Sequence, residues 1–163
     1  MNETRWAAFI WVSLFFFFQN SLAFLLPFAP PLLLIAVVFY ALYEGPGFGA
    51  VIGCYAGLFL DVLGTGRLGP HMALYAASGA LSGLAASAFF RESLLIRSAL
   101  PPAFHYLTTL VMLTLFRWGT ASERSVFIEA FLPGQLIVTA VLSPFLFRFL
   151  ARHSLVKGSR SRW

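Results

Sequence analysis

Residues 45–69 read GPGFGAVIGCYAGLFLDVLGTGRLG, and this stretch decides the fold. Its glycines recur at every fourth position and lead to an acidic residue, in the order Gly45, Gly49, Gly53, Gly57 and Asp61. Positions four residues apart lie on one face of an α-helix. A face without side chains lets a second backbone approach closely, and lipid cannot supply that contact. The stretch therefore predicts a close-packed membrane helix over residues 47–63.

The composition of the whole chain supports a membrane protein. Of its 163 residues, 60% are hydrophobic and only 10% are charged. Soluble domains are about half apolar and about one quarter charged. A soluble fold of this size could not hide so much apolar surface, so the excess must face lipid. With so little chain outside apolar segments, function must come from the membrane domain itself.

Hydropathy divides the chain into segments that each approach the length of a membrane span. A spanning helix needs about 20 residues. We predict one domain over residues 1–163, with spans at about 6–26, 31–43, 47–63, 71–90, 98–116 and 131–150. Segment 31–43 is short, so it could be a short span, a tilted pair with the first segment, or a re-entrant piece. The predicted fold is an all-α, polytopic bundle of about six helices, or of five with a re-entrant segment.

The distribution of basic residues predicts the orientation of the bundle. With six spans and both termini inside, eight of the 11 Lys and Arg residues lie on the cytoplasmic side and three outside. Cytoplasmic loops carry the excess of basic residues in membrane proteins. Residues 151–163 form the predicted basic cytoplasmic tail, which we expect to touch anionic lipid head groups rather than nucleic acid.

The segment after the quoted stretch repeats its small-residue pattern. Gly79 and Gly83 lie four residues apart, and a glycine-rich loop that ends at Gly69 joins the two segments. We expect segments 47–63 and 71–90 to pack as a hairpin. The small-residue faces could serve internal packing or contact with the span of a partner protein, and the two roles do not exclude each other.

Asp61 is the polar residue that says most about function, because a carboxylate within a membrane span is costly in free energy and usually has a functional role. It lies close to the loop, so a structural role is open to it: capping a helix, or a salt bridge, for example with Arg67. The other interpretation is direct contact with a partner protein. Proton relay is the least favoured, since no second buried acid is close in sequence.

No pattern in the chain indicates catalysis, a metal or a cofactor. His71 and His105 are isolated, and both are expected to be interface or core histidines. Cys54, the single cysteine, lies in an apolar run and is expected to be a small buried hydrophobe. No nucleophile triad, phosphate-binding loop, dinucleotide fingerprint or Cys/His cluster occurs, so we predict that the protein is not an enzyme.

The stretch from Pro31 to Tyr75 resembles the MreD family of bacterial rod-shape-determining proteins. The shared pattern is a proline-led apolar segment, a glycine-spaced helix ending in Gly-Leu-x-x-Asp, and a short glycine loop with Leu-Gly before the next helix. The residues that carry it here are Gly49, Gly53, Gly57-Leu58, Asp61, Gly64, Leu68-Gly69, His71 and Ala73-Leu74. The polar triplet Gln19-Asn20-Ser21 also resembles a break in the first segment of that family.

This resemblance implies a non-enzymatic subunit of the cell-elongation machinery in the bacterial inner membrane. Proteins of this family associate with MreC, and through it with MreB filaments and with RodA and its penicillin-binding-protein partner. The implied fold is similar to the six-helix substrate-binding subunits of energy-coupling-factor vitamin transporters. A vitamin-binding subunit of that kind is the alternative function, and it would need a polar, aromatic-lined pocket near the outer face.

Overall fold

The structure, a computed structural model, describes residues 3–25, 29–63, 68–88, 94–115 and 132–153. These residues form six α-helices and confirm the predicted all-α membrane bundle. The helices are α1 (Glu3–Leu25), α2 (Leu32–Glu44), α3 (Pro46–Leu63), α4 (Pro70–Ala88), α5 (Leu94–Leu115) and α6 (Leu132–His153). Three of them are long and apolar enough to cross a membrane, namely α1 from Arg5, α3 and α6, and α2 is a shorter apolar helix.

Most helix ends lie within one or two residues of the predicted segments, and α1, α5 and α6 differ by more than that at one end. Helix α1 begins at Glu3 rather than at residue 6. Helix α5 begins at Leu94 rather than at residue 98. Helix α6 continues to His153, so it includes the first three residues of the predicted tail. The rest of the tail, residues 154–163, lies outside the described residues.

Helix α2 lies at the centre of the bundle. Every side chain from Leu32 to Leu42 is buried, on all faces of the helix. It packs against α1, α3, α4, α5 and α6. A helix that is hydrophobic all round is suited to this central position. Since protein rather than lipid surrounds it, its 13 residues need not match the thickness of the hydrocarbon core.

Helices α1 and α2 run antiparallel, and polar contacts mark both ends of their interface. At one end Gln19 Oε1 accepts a hydrogen bond of 3.0 Å from the Leu33 N–H, one of the unpaired donors in the first turn of α2. At the other end Arg5 Nε lies 3.6 Å from Glu44 Oε2. The predicted polar break therefore has a partner in a neighbouring helix, as a polar group at membrane depth requires.

Helices α5 and α6 pack against each other, and polar side chains lie in their interface. His105 Nε2 lies 3.1 Å from Gln135 Oε1 across the pair. Pro144 lies inside α6 and has no N–H for the Ala140 carbonyl. The buried Ser143 hydroxyl donates to that carbonyl at 3.3 Å and so replaces part of the lost hydrogen bond.

Candidate functional site: the α3–α4 hairpin

Helices α3 and α4 are antiparallel and meet backbone to backbone along most of their length. A Cβ atom built on Gly49 would lie 2.5 Å from the Gly79 carbonyl oxygen. One on Gly53 would lie 2.6 Å from the Tyr75 carbonyl carbon, and one on Gly57 would lie 2.5 Å from that of His71. Each step of four residues along α3 is matched by a step of four in the opposite direction along α4. The register is therefore regular over three turns.

These distances explain why the α3 face is made of glycine. Real Cβ atoms essentially never approach another heavy atom within 3.0 Å. The atoms that a Cβ would meet belong mostly to the α4 backbone, which cannot rotate away as a flexible side chain can. The glycine face is thus used within the chain, and it allows a backbone contact that larger residues would prevent.

Gly45 and Gly69 have a different role from the three glycines of the α3 face. Both have a positive φ, at +94° and +118°, where residues with a Cβ are strained. No atom lies within 4 Å of a Cβ built on either one. Gly45 forms the tight link between α2 and α3, and Gly83 of α4 packs against its backbone and that of Pro46. Gly69 shapes the entry to α4.

Asp61 lies in the last turn of α3 and caps the first turn of α4. Its carboxylate is almost fully buried, with 4% of the residue exposed. It accepts backbone hydrogen bonds from the N–H groups of Gly69 at 2.9 Å, His71 at 3.1 Å and Met72 at 3.1 Å. Pro70 has no N–H to satisfy. One carboxylate therefore satisfies the unpaired donors that open α4, where the positive end of the helix dipole also favours an anion.

His71 completes this arrangement, and it is the contact that the sequence did not predict. Its Nδ1 lies 2.8 Å from Asp61 Oδ1. The ring is about one-third exposed, while the carboxylate below it is enclosed. The sequence predicts an isolated His71 because helical periodicity relates residues three or four positions apart, whereas His71 follows Asp61 by ten residues. The contact could have been predicted from position along the chain, since Asp61 ends one helical segment and His71 begins the next.

The other expectations for polar residues have mixed outcomes. Arg67, the expected salt-bridge partner of Asp61, lies outside the described residues, as does Gly64. His105 is paired with Gln135 and lies in a helix interface. Cys54 is half-buried in α3. Among the residues that the structure describes, no three His, Cys, Asp or Glu side chains are grouped as metal ligands.

A family model for the rod shape-determining protein MreD matches residues 4–153. The match covers nearly the whole chain, far more than the stretch on which the sequence resemblance depends. The chain belongs to the MreD family. The comparison with curated proteins and the comparison with solved structures each found no match. The likeness to substrate-binding subunits of vitamin transporters therefore stays a prediction.

The pattern shared with the MreD family acquires a physical meaning in this chain. The Gly-Leu-x-x-Asp element supplies Gly57, which allows a close approach to the α4 backbone, and Asp61, which caps α4 one turn later. Leu-Gly supplies Gly69, the positive-φ residue whose N–H donates to the same carboxylate. In this MreD-family chain these residues build one turn between two close helices.

Proposed function

We propose that the protein is a non-enzymatic membrane subunit of the bacterial cell-elongation complex, which binds MreC directly and helps to control side-wall peptidoglycan synthesis. MreB, RodA and the penicillin-binding-protein partner of RodA are connected to it through that complex. The observation that carries the proposal is the MreD family match over residues 4–153. Family membership makes it a rod shape-determining membrane protein, and the named partners go beyond that finding.

The use of polar groups in the bundle agrees with a scaffold. Among the described residues, Asp61, Gln19 and Ser143 bond to backbone groups at helix ends or at a proline. Each of these contacts stabilises helix geometry. The exposed faces of the helices are rich in large apolar side chains, as lipid or a partner's span requires. Such a molecule can hold a fixed shape and offer it to a partner.

We further propose that the hairpin of α3 and α4 is the rigid part on which partner binding depends. Gly49, Gly53 and Gly57 bring the two backbones together, and Asp61 fixes the turn. Because these groups are used inside the hairpin, they act on a partner by setting the geometry of its outer faces. Gly45, Gly69, Gly79 and Gly83 contribute to the same geometry through the links and the α4 backbone.

The proposed orientation places both termini in the cytoplasm and all six helices across the inner membrane. Alternation of the helices brings the start of α1, the end of α2 and the end of α6 to one end of the bundle. Contacts between Arg5 and Glu44 and between Trp11 and His153 agree with this arrangement. Arg97 of α5 lies at the same end, since its guanidinium is 3.4 Å from the Tyr43 hydroxyl near the end of α2. The described arginines, Arg5, Arg97, Arg148 and Arg152, therefore share that end, as the positive-inside rule favours for a cytoplasmic face.

Co-purification with MreC from the same host tests the proposed function. The full chain and MreC are co-expressed, extracted in mild detergent and isolated through a tag on MreC. We expect recovery of the wild-type chain and of Gly47→Ala, since a Cβ at Gly47 meets nothing within 4 Å. We expect loss of recovery for Gly53→Leu, which forces α3 and α4 apart. Absence of wild-type recovery, together with nanomolar binding of a vitamin, would overturn the proposal.

A further inference from the structure

Helix α6 carries an exposed stripe that is apolar along the bundle and basic at its end. The exposed apolar members are Ile137, Val141, Phe145 and Phe149. The next exposed positions on this part of the helix are Arg148 and Arg152, which are four residues apart. Residues at this spacing are neighbours on a helix surface, about 6 Å apart along the axis. The apolar part of the stripe is therefore long enough to contact a lipid acyl chain, and it ends at two guanidinium groups.

The two arginines have no counter-charge among the residues that the structure describes. The ion pairs formed there are Arg5 with Glu44 and His71 with Asp61, and neither involves α6. Helix α6 itself contains no Asp or Glu. Two adjacent positive charges without a carboxylate are costly to hold together unless an anion lies between them. An arginine fork binds phosphate oxygens with two parallel hydrogen bonds.

Aromatic rings from α1 and α6 fix the surface beside the arginines. The Trp11 ring lies 5.4 Å from that of Phe149 and 6.5 Å from that of His153. His153 packs on Phe149 at 4.5 Å, and its Nδ1 lies 3.0 Å from the Phe149 carbonyl oxygen. Tryptophan is enriched at the membrane–water interface, at the level of the lipid head groups. The position of this cluster agrees with head-group depth for the basic end of the stripe.

From this combination we infer that Arg148 and Arg152 form a binding site for one anionic phospholipid, whose phosphate lies between the guanidinium groups and whose acyl chain lies along Phe145 and Val141. Arg152 lies at the level of the head group. Arg148 is one turn deeper, and its long aliphatic stem lets the guanidinium reach the same phosphate along the apolar surface. A lipid occupant satisfies the charge and the apolar stripe together, which a soluble anion cannot do.

The test uses the full chain in mild detergent and dioleoyl-phosphatidylglycerol as the probe, with bound lipid counted by native mass spectrometry. We expect phosphatidylglycerol to bind more tightly than dioleoyl-phosphatidylcholine. Each arginine near the surface contributes enough to weaken binding by about fivefold when it is removed. Arg148→Gln/Arg152→Gln should therefore lose about 25-fold in affinity for phosphatidylglycerol, with affinity for phosphatidylcholine unchanged.

Arg5→Gln is the matched control, since Arg5 lies at the same end but is paired with Glu44 and packs over Phe48. It should keep the wild-type affinity, and the thermal unfolding midpoint in phosphatidylcholine shows whether each variant is folded. Unchanged phosphatidylglycerol binding in the double variant would overturn the inference, because the tail or another surface would then hold the lipid. Competition by millimolar inorganic phosphate as strong as that by the lipid would also overturn it. Loss of binding in Arg5→Gln equal to that in the double variant would reduce the site to general surface charge and refute it.

Discussion

Two antiparallel helix pairs of the bundle, α3 with α4 and α5 with α6, pack against each other through different kinds of contact. In α3–α4 the glycine face removes side chains, so that backbone meets backbone at Gly49, Gly53 and Gly57. In α5–α6 the contact between the helices includes a hydrogen bond from side chain to side chain, between His105 and Gln135. The α3–α4 interface depends on close approach of the two backbones, and the α5–α6 interface includes polar side chains that bond to each other.

The difference teaches where the bundle is sensitive to change. A backbone-to-backbone contact cannot relax, because the atoms that an added methyl group would meet belong to the neighbouring helix itself. A side-chain hydrogen bond in a membrane contributes about 0.6 kcal/mol on average, since its partners find other bonds in the unfolded state. We therefore expect the α3–α4 pair to respond strongly to single substitutions and the α5–α6 pair to respond weakly.

Of the substitutions that test this comparison, Gly53→Ala should cause the largest loss in the free energy of unfolding. The new Cβ would meet the Tyr75 carbonyl group and lie 3.0 Å from the Ala76 Cα, so α3 and α4 must separate. Overpacking of this kind costs about 3 kcal/mol at the upper end of the usual range. The measurement is the free energy of unfolding in mixed detergent micelles, with the helical circular dichroism signal as the readout.

Gly47→Ala is the internal control for that experiment. It lies in the same helix, in a helical conformation, but no atom is within 4 Å of the added methyl group. Alanine should stabilise this position by about 0.5 kcal/mol, because it lowers the entropy of the unfolded chain. Equal losses of stability in the two variants would show that the contrast between the interfaces does not come from close backbone contact.

Asp61→Ala should have the second largest effect, and it tests the turn rather than the face of the α3–α4 pair. It leaves the N–H groups of Gly69, His71 and Met72 without their acceptor. A buried group left unsatisfied costs about 1–3 kcal/mol. Asp61→Asn should lose less, because its amide oxygen still accepts part of the set. The same unfolding titration measures both variants, and a fully stable Asp61→Ala would disprove the capping role.

The sequence predicted the α3–α4 interface better than any other part of the molecule, for a physical reason. A glycine at every fourth position has few uses in a membrane helix other than close approach, so Gly49, Gly53 and Gly57 indicated both the helix and its face. Capping by Asp61 was among the alternatives for the same reason, since a buried carboxylate must find donors.

The central position of α2 could not be predicted in this way. Residues 32–42 are apolar on every face, and this pattern suits a lipid-exposed span as well as a helix buried in protein. The pairing of His105 with Gln135 could not be predicted either, because α5 and α6 carry no repeating sequence pattern that indicates which residues face each other. Sequence periodicity gives the face of a helix and gives its neighbour only when that face is chemically distinctive.

A matched pair of serine substitutions should give the smallest effects and the finest comparison of the two interfaces. Ser82 of α4 and Ser143 of α6 are both fully buried, and each hydroxyl donates to a backbone carbonyl of its own helix. The acceptor of Ser82 is the Ser78 carbonyl, which also receives the ordinary helical N–H of residue 82. The acceptor of Ser143 is the Ala140 carbonyl, whose ordinary donor is missing because residue 144 is proline.

Ser82→Ala should therefore be neutral or slightly stabilising, since alanine is the better helix former and the carbonyl keeps its N–H partner. Ser143→Ala should lose about 0.6 kcal/mol, because the Ala140 carbonyl loses the donor that stands in for the absent N–H. Both values come from unfolding titrations in the same micelles. If Ser82→Ala were the more harmful of the two, the α4 interior would depend on its hydroxyl groups, and the contrast between a backbone-packed pair and a polar pair would have to be abandoned.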